Sequence, residues 1–348
     1  MNTLEMKYKD KGLTGLANLG NTCFLNSTLQ CLSHTYELNI FLDKQKDNFK
    51  ERMNRVPESL ILWEWDKLRK LMWSENCVIQ PGGFLQSVQR VARIRDLALF
   101  TGFLQNDAEE FLRFIIDCFH NSLKREVKMS ISGNAATDQD QTAIACYKMM
   151  KNMYTKEYSE FIKLFYGIHV STVTSMESDY VNITPEPFFN LQVEIGDTKT
   201  LEGCIKNYTN EEILENRIDV SNDNEDKKLE HAKKKIQFWN LPDILVITLK
   251  RFDKTGRKNK IHIDFPLKNL NLSDYVVGYD KESYKYDLYG ICNHIGGVTG
   301  GHYTAFVRNP ENTWLHYNDR DVEKVDNPDA IVSPATYCLF YRKKNHNV

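Results

Sequence analysis

Apolar residues recur at helical spacing from Gly12 to about Gly167, and beyond Gly167 the period shortens to alternation. In the first regime, "CFLNSTLQCLSHT" (23–35) carries Leu25, Leu29 and Leu32 at helical intervals, which predicts an amphipathic helix starting near Asn21 or Thr22. The runs "ESLILWEWDKLRKLMW" (58–73), "PGGFLQSVQRVARI" (81–94), "NDAEEFLRFIIDCFHNSLKREV" (106–127) and "EYSEFIKLFYG" (157–167) predict further helices. Between them "SISGNAATDQDQTA" (130–143) holds too few apolar residues to offset its ordering entropy and reads as a surface loop or flexible insertion. In the second regime "FFNLQVEI", "DILVITLKRF", "YKYDLYGICNHIGG", "GHYTAFVRN", "TWLHYNDRDV" and "TYCLFYRK" are short, β-branched and aromatic, and bounded by Gly, Pro, Asn or Asp, as strands are. The polar stretch "NDNEDKKLEHAKKK" (222–235) reads as an exposed tip, with "KKLEHAKKK" a solvated helix face. A helical lobe followed by a sheet-rich lobe predicts an α+β fold.

Bulk properties narrow the function without naming it. A length of 348 residues suggests two lobes. A formal charge of -2 and a pI near 6.5 supply no basic field of the kind nucleic-acid binders use, so no nucleic-acid partner is expected. The N-terminus lacks an apolar signal-peptide core and no stretch is long enough to span a membrane, which makes an intracellular protein, cytoplasmic or nuclear, the expectation. Eight cysteines are scattered without a Cys-x-x-Cys pair and read mostly as reduced core residues. With the usual zinc patterns, the Walker A string and the dinucleotide fingerprint also missing from the sequence, neither metal nor cofactor is expected.

Candidate chemistry begins at Cys23. At the first turn of a helix, unpaired N–H groups and the positive end of the helix dipole favour a thiolate, the nucleophilic form. The alternative is that Cys23 merely packs, as buried cysteines do. A nucleophilic thiol needs a base and a group to orient it. Among nine histidines, His302 alone follows a four-glycine loop and opens a strand; a purely structural strand histidine is the competing reading. The segment "GHYTAFVRNPENTWLHYND" reads as a hairpin turning at "NPEN". Centred on Pro310, it pairs Phe306 with Trp314, Thr304 with His316 and His302 with Asn318, so that Asn318 can hold the imidazole. A one-residue slip brings Asp319 opposite instead. Asn18, five residues before Cys23, either donates its amide to an oxyanion or simply forms a turn.

These segments together resemble the ubiquitin-specific proteases, papain-like cysteine peptidases that remove ubiquitin from other proteins. "GLANLGNTCFLNSTLQCL" is similar to the family's cysteine box, "QNDAEEFLRF" (105–114) to its Gln-x-Asp-Ala box, and "LPDILVITLKRF" (241–252) to its Leu-Lys-Arg-Phe strand. "KIHIDFPLKNLNL" resembles the element that follows, and "HIGGVTGGHYTAF" with "WLHYND" the histidine box. The resemblance runs from Gly12 to Arg342. It implies a single catalytic domain over 12–345 after an N-terminal tail (1–11), built as a right hand: a mostly helical thumb (12–165), then β-rich fingers and palm (166–345). It implies Cys23 as nucleophile, His302 as base and then acid, Asn318 as the orienting residue, Asp319 as a second catalytic position and Asn18 as oxyanion donor. Gln105 and Asp107 would hold the extended ubiquitin tail, and Tyr303 would line its channel. Read without the family, Gln105 and Asp107 form a helix N-terminus and Tyr303 is a buried strand tyrosine.

The implied activity is thiol-dependent hydrolysis at the C-terminal glycine of ubiquitin, with ubiquitin and ubiquitinated proteins as partners. The competing readings are an inactive ubiquitin-binding scaffold and a hydrolase of another ubiquitin-like modifier. One departure from the family pattern stands out: many members place two Cys-x-x-Cys pairs in the fingers to bind structural zinc. Here "HVSTVTSMESDYVN" and "ENRIDVSNDNEDKK" hold no cysteine, so the fingers are expected to lack zinc and to be more mobile than the palm.

Overall fold

The helical half consists of α1 (Cys23–Ser33), α2 (Ser59–Met72), α3 (Gly82–Ile94), α4 (Ala108–Leu123) and α5 (Asp138–Glu157), with shorter helices at Tyr36–Asp43 and Glu160–Phe165. The computed structural model describes residues 7–45, 49–221, 227–297 and 300–344. The β-rich half supplies β1 (Gly167–Ser175), β2 (Val181–Phe188), β3 (Asn190–Glu194), β4 (Ala232–Asn240), β5 (Ile244–Lys250), β6 (Lys285–Gly297), β7 (Gly300–Arg308), β8 (Trp314–Asn318), β9 (Asp321–Lys324) and β10 (Thr336–Lys343). The central sheet runs in the order β9-β8-β7-β6-β10-β5-β3, antiparallel except for the parallel β5–β3 pair. A second sheet has the order β2-β1-β4 with a short strand, Glu212–Ile213, beyond β4. Among the described residues no helix is long and apolar enough to cross a membrane.

The central sheet is buried on both faces, which is why β5 reads as an unbroken apolar run. Ile244 and Val246 point into a core shared with Leu25 and Leu29 of α1 and Phe111 and Ile115 of α4. Their neighbours Leu245, Ile247 and Leu249 pack on the opposite face with Leu201 and Ile205 from the helix Leu201–Thr209. Helix α1 therefore lies between α4 and strands β6 and β7, with all eleven of its residues buried. The polar positions of the expected amphipathic helix are thus buried along with the apolar ones. Asn26, Gln30 and Thr28 face protein and find partners there: Asn26 Nδ2 donates to Leu16 O, Gln30 Nε2 to Thr14 O and Thr28 Oγ1 to Phe24 O.

Three further expectations change. The loop read over 130–143 becomes helix at Asp138, where a reciprocal capping box between Thr137 and Asp140 starts α5. Only Ala143 and Cys146 of that helix are buried, so it offers no hydrophobic stripe to read. "KKLEHAKKK" is strand, Leu229–Glu230 and then β4, because its alternate residues Glu230 and Ala232 are buried. The remainder of that expected tip, 222–226, lies outside the described residues. The segment read as a tail joins the core at Tyr8, which stacks on Tyr36 at 4.8 Å and meets the edge of Trp73 at 4.6 Å; residues 1–6 lie outside the described ones.

The second sheet is tied at its tip by a polar knot. Glu230, 1% exposed, accepts the hydroxyls of Ser175 and Ser178, each at 2.5 Å, and pairs with Lys228 at 2.6 Å. Ser175 Oγ in turn accepts the backbone N–H groups of Glu177 and Ser178, while Glu177 accepts that of His231. Lys228 first, then Ser175 and Ser178, hold the Glu230 carboxyl down at about 2. No group of three or more His, Cys, Asp or Glu with metal-binding proximity occurs among the described residues.

Candidate active site

The loop before α1 is wound around one side chain. Asn18 Oδ1 accepts the backbone N–H of Gly20 at 3.0 Å and of Thr22 at 3.2 Å, and the chain passes through left-handed backbone at Gly20 and Asn21. This turn delivers Cys23 to the first position of α1, where the Thr22 side chain makes no cap and leaves the helix N–H groups open. The turn-forming reading of Asn18 is thus realised, through its carbonyl. Its amide nitrogen faces the other way and donates to Asp319 Oδ2 at 2.9 Å.

Cys23 is only 2% exposed, against β7. Burial pushes its thiol up from the ordinary range; hydrogen bonding from the Tyr303 backbone works against this, and the Asp319 carboxylate adds to it. The thiolate expected at the helix mouth thus meets two opposing influences here. Desolvation and the Asp319 anion act against the thiolate that the open first-turn N–H groups favour. No hydrogen bond joins its sulfur to the His302 ring among the described residues.

His302 is the third residue of β7, after Gly300 and Gly301, and its Nε2 donates to Asn318 Oδ1 at 2.7 Å. That bond fixes the tautomer and leaves Nδ1 free as the basic nitrogen. The pairing arises in a different register from the expected one. The turn runs from Asn309 to Thr313, with Asn309 Oδ1 accepting Thr313 N–H and Asn312 in left-handed backbone, so its centre is Glu311 and not Pro310. Phe306 consequently faces His316, and Arg308 faces Trp314. A shift of two residues preserves the face of the sheet, and Asn318, past the last rung at Ala305–Tyr317, still meets the imidazole.

Asp319 turns away from His302. Its backbone is left-handed, its carbonyl accepts Leu16 N–H at 2.8 Å, and its carboxylate accepts both Asn18 and Asn26. Close approach is possible because residue 15 is glycine: a Cβ there would lie 2.0 Å from the Arg320 carbonyl.

The remaining predicted residues gather beside β7 at a cleft of about 410 Å3. Gln105 pairs with the backbone of Gly301 in both directions, donating from Nε2 to its carbonyl and accepting its N–H at 2.9 Å. Asp107 is the N-cap of α4: Oδ1 accepts the N–H groups of Glu109 and Glu110, and Oδ2 accepts the hydroxyls of Tyr337 at 2.7 Å and Tyr303 at 3.3 Å. Glu110 completes an acidic wall, and burial followed by Asp107 and Glu109 pushes its carboxyl up. Tyr337 was not foreseen as part of this wall. It is the second residue of β10, next to Thr336, which pairs with Asn293 of β6, and nothing in its local sequence marked it. His294 was also missed; its ring lies 4.6 Å from that of Tyr303.

The family model described as "Ubiquitin carboxyl-terminal hydrolase" matches residues 14–341. "Ubiquitin carboxyl-terminal hydrolase 2" of Bos taurus is 32% identical over 95% of this chain and 55% of its own length. "Ubiquitin carboxyl-terminal hydrolase 21" of Mus musculus is 31% identical over 95% of this chain and 62% of its own. The chain thus spans about half the length of the curated relatives it matches. Among solved structures, the SAGA Ubp8/Sgf11/Sus1/Sgf73 DUB module bound to ubiquitin aldehyde superposes with a TM-score of 0.74 at 25% identity, covering 98% of this chain and 71% of that one. Matching sequence and matching fold therefore agree along nearly the whole chain, and it belongs to the ubiquitin carboxyl-terminal hydrolase family as a ubiquitin-specific protease catalytic core.

Proposed function

We propose that the protein is a deubiquitinating thiol peptidase, cleaving the isopeptide or peptide bond that follows the C-terminal glycine of ubiquitin. The observation that carries this reading is the His302–Asn318 pair on the sheet, set beside the α1 N-terminus that bears Cys23. The helical half serves as thumb, the central sheet as palm and the second sheet as fingers. Substrate entering the acidic cleft brings its terminal carbonyl to Cys23. His302 Nδ1 takes the thiol proton as sulfur attacks that carbon, and the oxyanion is met by the Cys23 N–H and the second hydrogen of the Asn18 amide. Collapse breaks the carbon–nitrogen bond, and the leaving lysine amine departs with the proton from His302. Water, deprotonated by His302, then attacks the thioester, releasing the ubiquitin carboxylate and restoring the thiol.

Asn318 holds the imidazole in the required tautomer, while Asp319 sets the Asn18 amide in place. Gln105 and Tyr303 line the path of an extended peptide, and the carboxylates of Asp107, Glu109 and Glu110 suit a basic one. The mechanism is tested with ubiquitin carrying a C-terminal electrophile. A covalent adduct located at Cys23 by peptide mass spectrometry is the expected result; saturable binding without an adduct overturns the hydrolase reading in favour of a scaffold.

A further inference from the structure

Past β5 the chain folds back on itself in a hairpin closed by a bridge between Phe252 and Lys258. Lys250, Arg251, Lys254, Arg257, Lys258 and Lys260 line a cavity of about 1260 Å3 on that hairpin, whose other wall is the end of β3 and Gly296–Gly297. Two carboxylates, Glu194 and Asp253, face these six cations. Glu194 lies 3.5 Å from Lys250. Asp253 Oδ1 accepts Thr255 N–H, the Thr255 hydroxyl and Arg257 N–H within its own turn. Among the described residues Arg251, Lys254, Arg257, Lys258 and Lys260 have no carboxylate partner.

The floor of the cavity shows the same deficit. Arg251 is fully buried, with Nε given to Thr336 O and Nη1 to the carbonyls of Asn259 and Ile261, while Nη2 has no partner. Lys258 donates to His294 O and sits 3.1 Å from His294 Nδ1. Burial, then Arg251, then Lys260 push its ammonium down to about 8, and burial takes Arg251 to about 10. A buried cation left without an anion is costly, and an anion that enters relieves several at once.

We propose that this cavity binds a phosphate-type oxyanion, with Arg251 and Lys258 at its floor and Lys254, Arg257 and Lys260 at its rim. Sign of charge separates it from the neighbouring cleft, with which it shares Phe252 and Gly297. That cleft is walled by carboxylates and suits a cation; in this cavity six cations face two carboxylates. A guanidinium beside ammonium groups offers the several charge-assisted donors that a tetrahedral oxyanion accepts. The assignment does not depend on the hydrolase reading.

The probe is inorganic pyrophosphate, titrated calorimetrically into the intact protein at an ionic strength held constant with sodium chloride. One saturable site per chain is expected. Lys258→Gln and, separately, the exposed pair Arg257→Glu with Lys260→Glu should each weaken it at least about tenfold, with an unchanged unfolding temperature for the exposed pair. A phosphoserine peptide and its unphosphorylated counterpart separate the two sources of such a group. Displacement of pyrophosphate by the phosphopeptide alone assigns the site to phosphate carried on a protein, and failure of both assigns it to the free ion. No saturable heat up to about 10 mM pyrophosphate, far beyond what a physiological site requires, or equal affinity in all variants, would overturn the proposal.

Discussion

The side-chain amide of Asn26, in the buried polar face of α1, donates to the Asp319 carboxylate at 2.8 Å, joining residues 293 apart in sequence. Asn18 donates to the second oxygen of the same carboxylate, and Leu16 N–H to the Asp319 carbonyl. Asp319 is thus the post on which the Cys23 loop and helix α1 hang from the central sheet, whereas Asn318 beside it touches the imidazole.

The two neighbours should therefore fail differently. Asn318→Ala is expected to lower kcat by orders of magnitude with KM and urea-unfolding midpoint nearly unchanged, because only the tautomer and ring orientation are lost. Asp319→Ala should lower kcat and also cost about 1–3 kcal/mol of stability, since the amides of Asn18 and Asn26 lose their acceptor. Equal stability in the two variants contradicts the anchoring role.

Removing the α4 cap separates structure from recognition. Asp107→Ala abolishes the acceptor of two helix N–H groups and should cost about 1–2 kcal/mol in unfolding experiments. Asp107→Asn keeps a capping oxygen and most of that stability, yet removes negative charge from the cleft, so its effect should fall on KM for a ubiquitin reporter. A stability loss as large in the asparagine variant as in the alanine variant would refute the cap.

Cys23 should titrate late in the free protein. Burial raises its thiol, so the thiolate fraction grows with pH throughout the neutral range instead of being complete within it. In a Cys77→Ser background, which removes the exposed cysteine, iodoacetamide alkylation of Cys23 is expected to rise about tenfold per pH unit through pH 8 with no plateau below the ordinary thiol value. Asp319→Asn, by deleting the anion that adds to the shift, should speed alkylation at fixed pH. A plateau near neutrality would show a preformed thiolate.

The Glu230 knot makes the fingers acid-labile. The carboxyl is lower in the folded chain than in the unfolded one, so its stabilisation is complete above the ordinary carboxylate value and is lost as pH falls from there toward about 2. Protection from hydrogen exchange at Ser175, Glu177 and His231, taken relative to the intrinsic rate at each pH, should fall over that acid interval in the native protein and be low at all pH values in Glu230→Ala. EDTA should leave both exchange and activity untouched. Slowing of exchange by added zinc would contradict this account.

Sequence carried the parts that rest on local chemistry. A cysteine at a helix mouth and Asp107 at a helix cap are set by neighbours along the chain and are found where expected, whereas His302 lies two residues inside its strand because β7 already begins at Gly300. The register at His302 depended on whether Asn309 caps its own turn, which the string "NPEN" leaves undecided, and the face was preserved only because the error was an even number. Helix α5 was illegible because its stabilisation comes from a capping box and one buried edge, without a hydrophobic period. The buried polar side of α1 and the knot at Glu230 were illegible for a different reason: their partners lie far away in sequence or across a strand pair, and serine and glutamate in isolation look solvated.

Holding the finger tip with two serines and a glutamate also changes what can damage it. Thiolates gathered around a metal must be loaded during or after synthesis and are lost to oxidants that convert them to disulfides or sulfenic acids. Hydroxyls and a carboxylate have no such ladder to climb and assemble as soon as β1 and β4 pair. Oxidants that would strip thiolates from a metal therefore leave this tip intact, since neither the Ser175 and Ser178 hydroxyls nor the Glu230 carboxylate stands on that ladder.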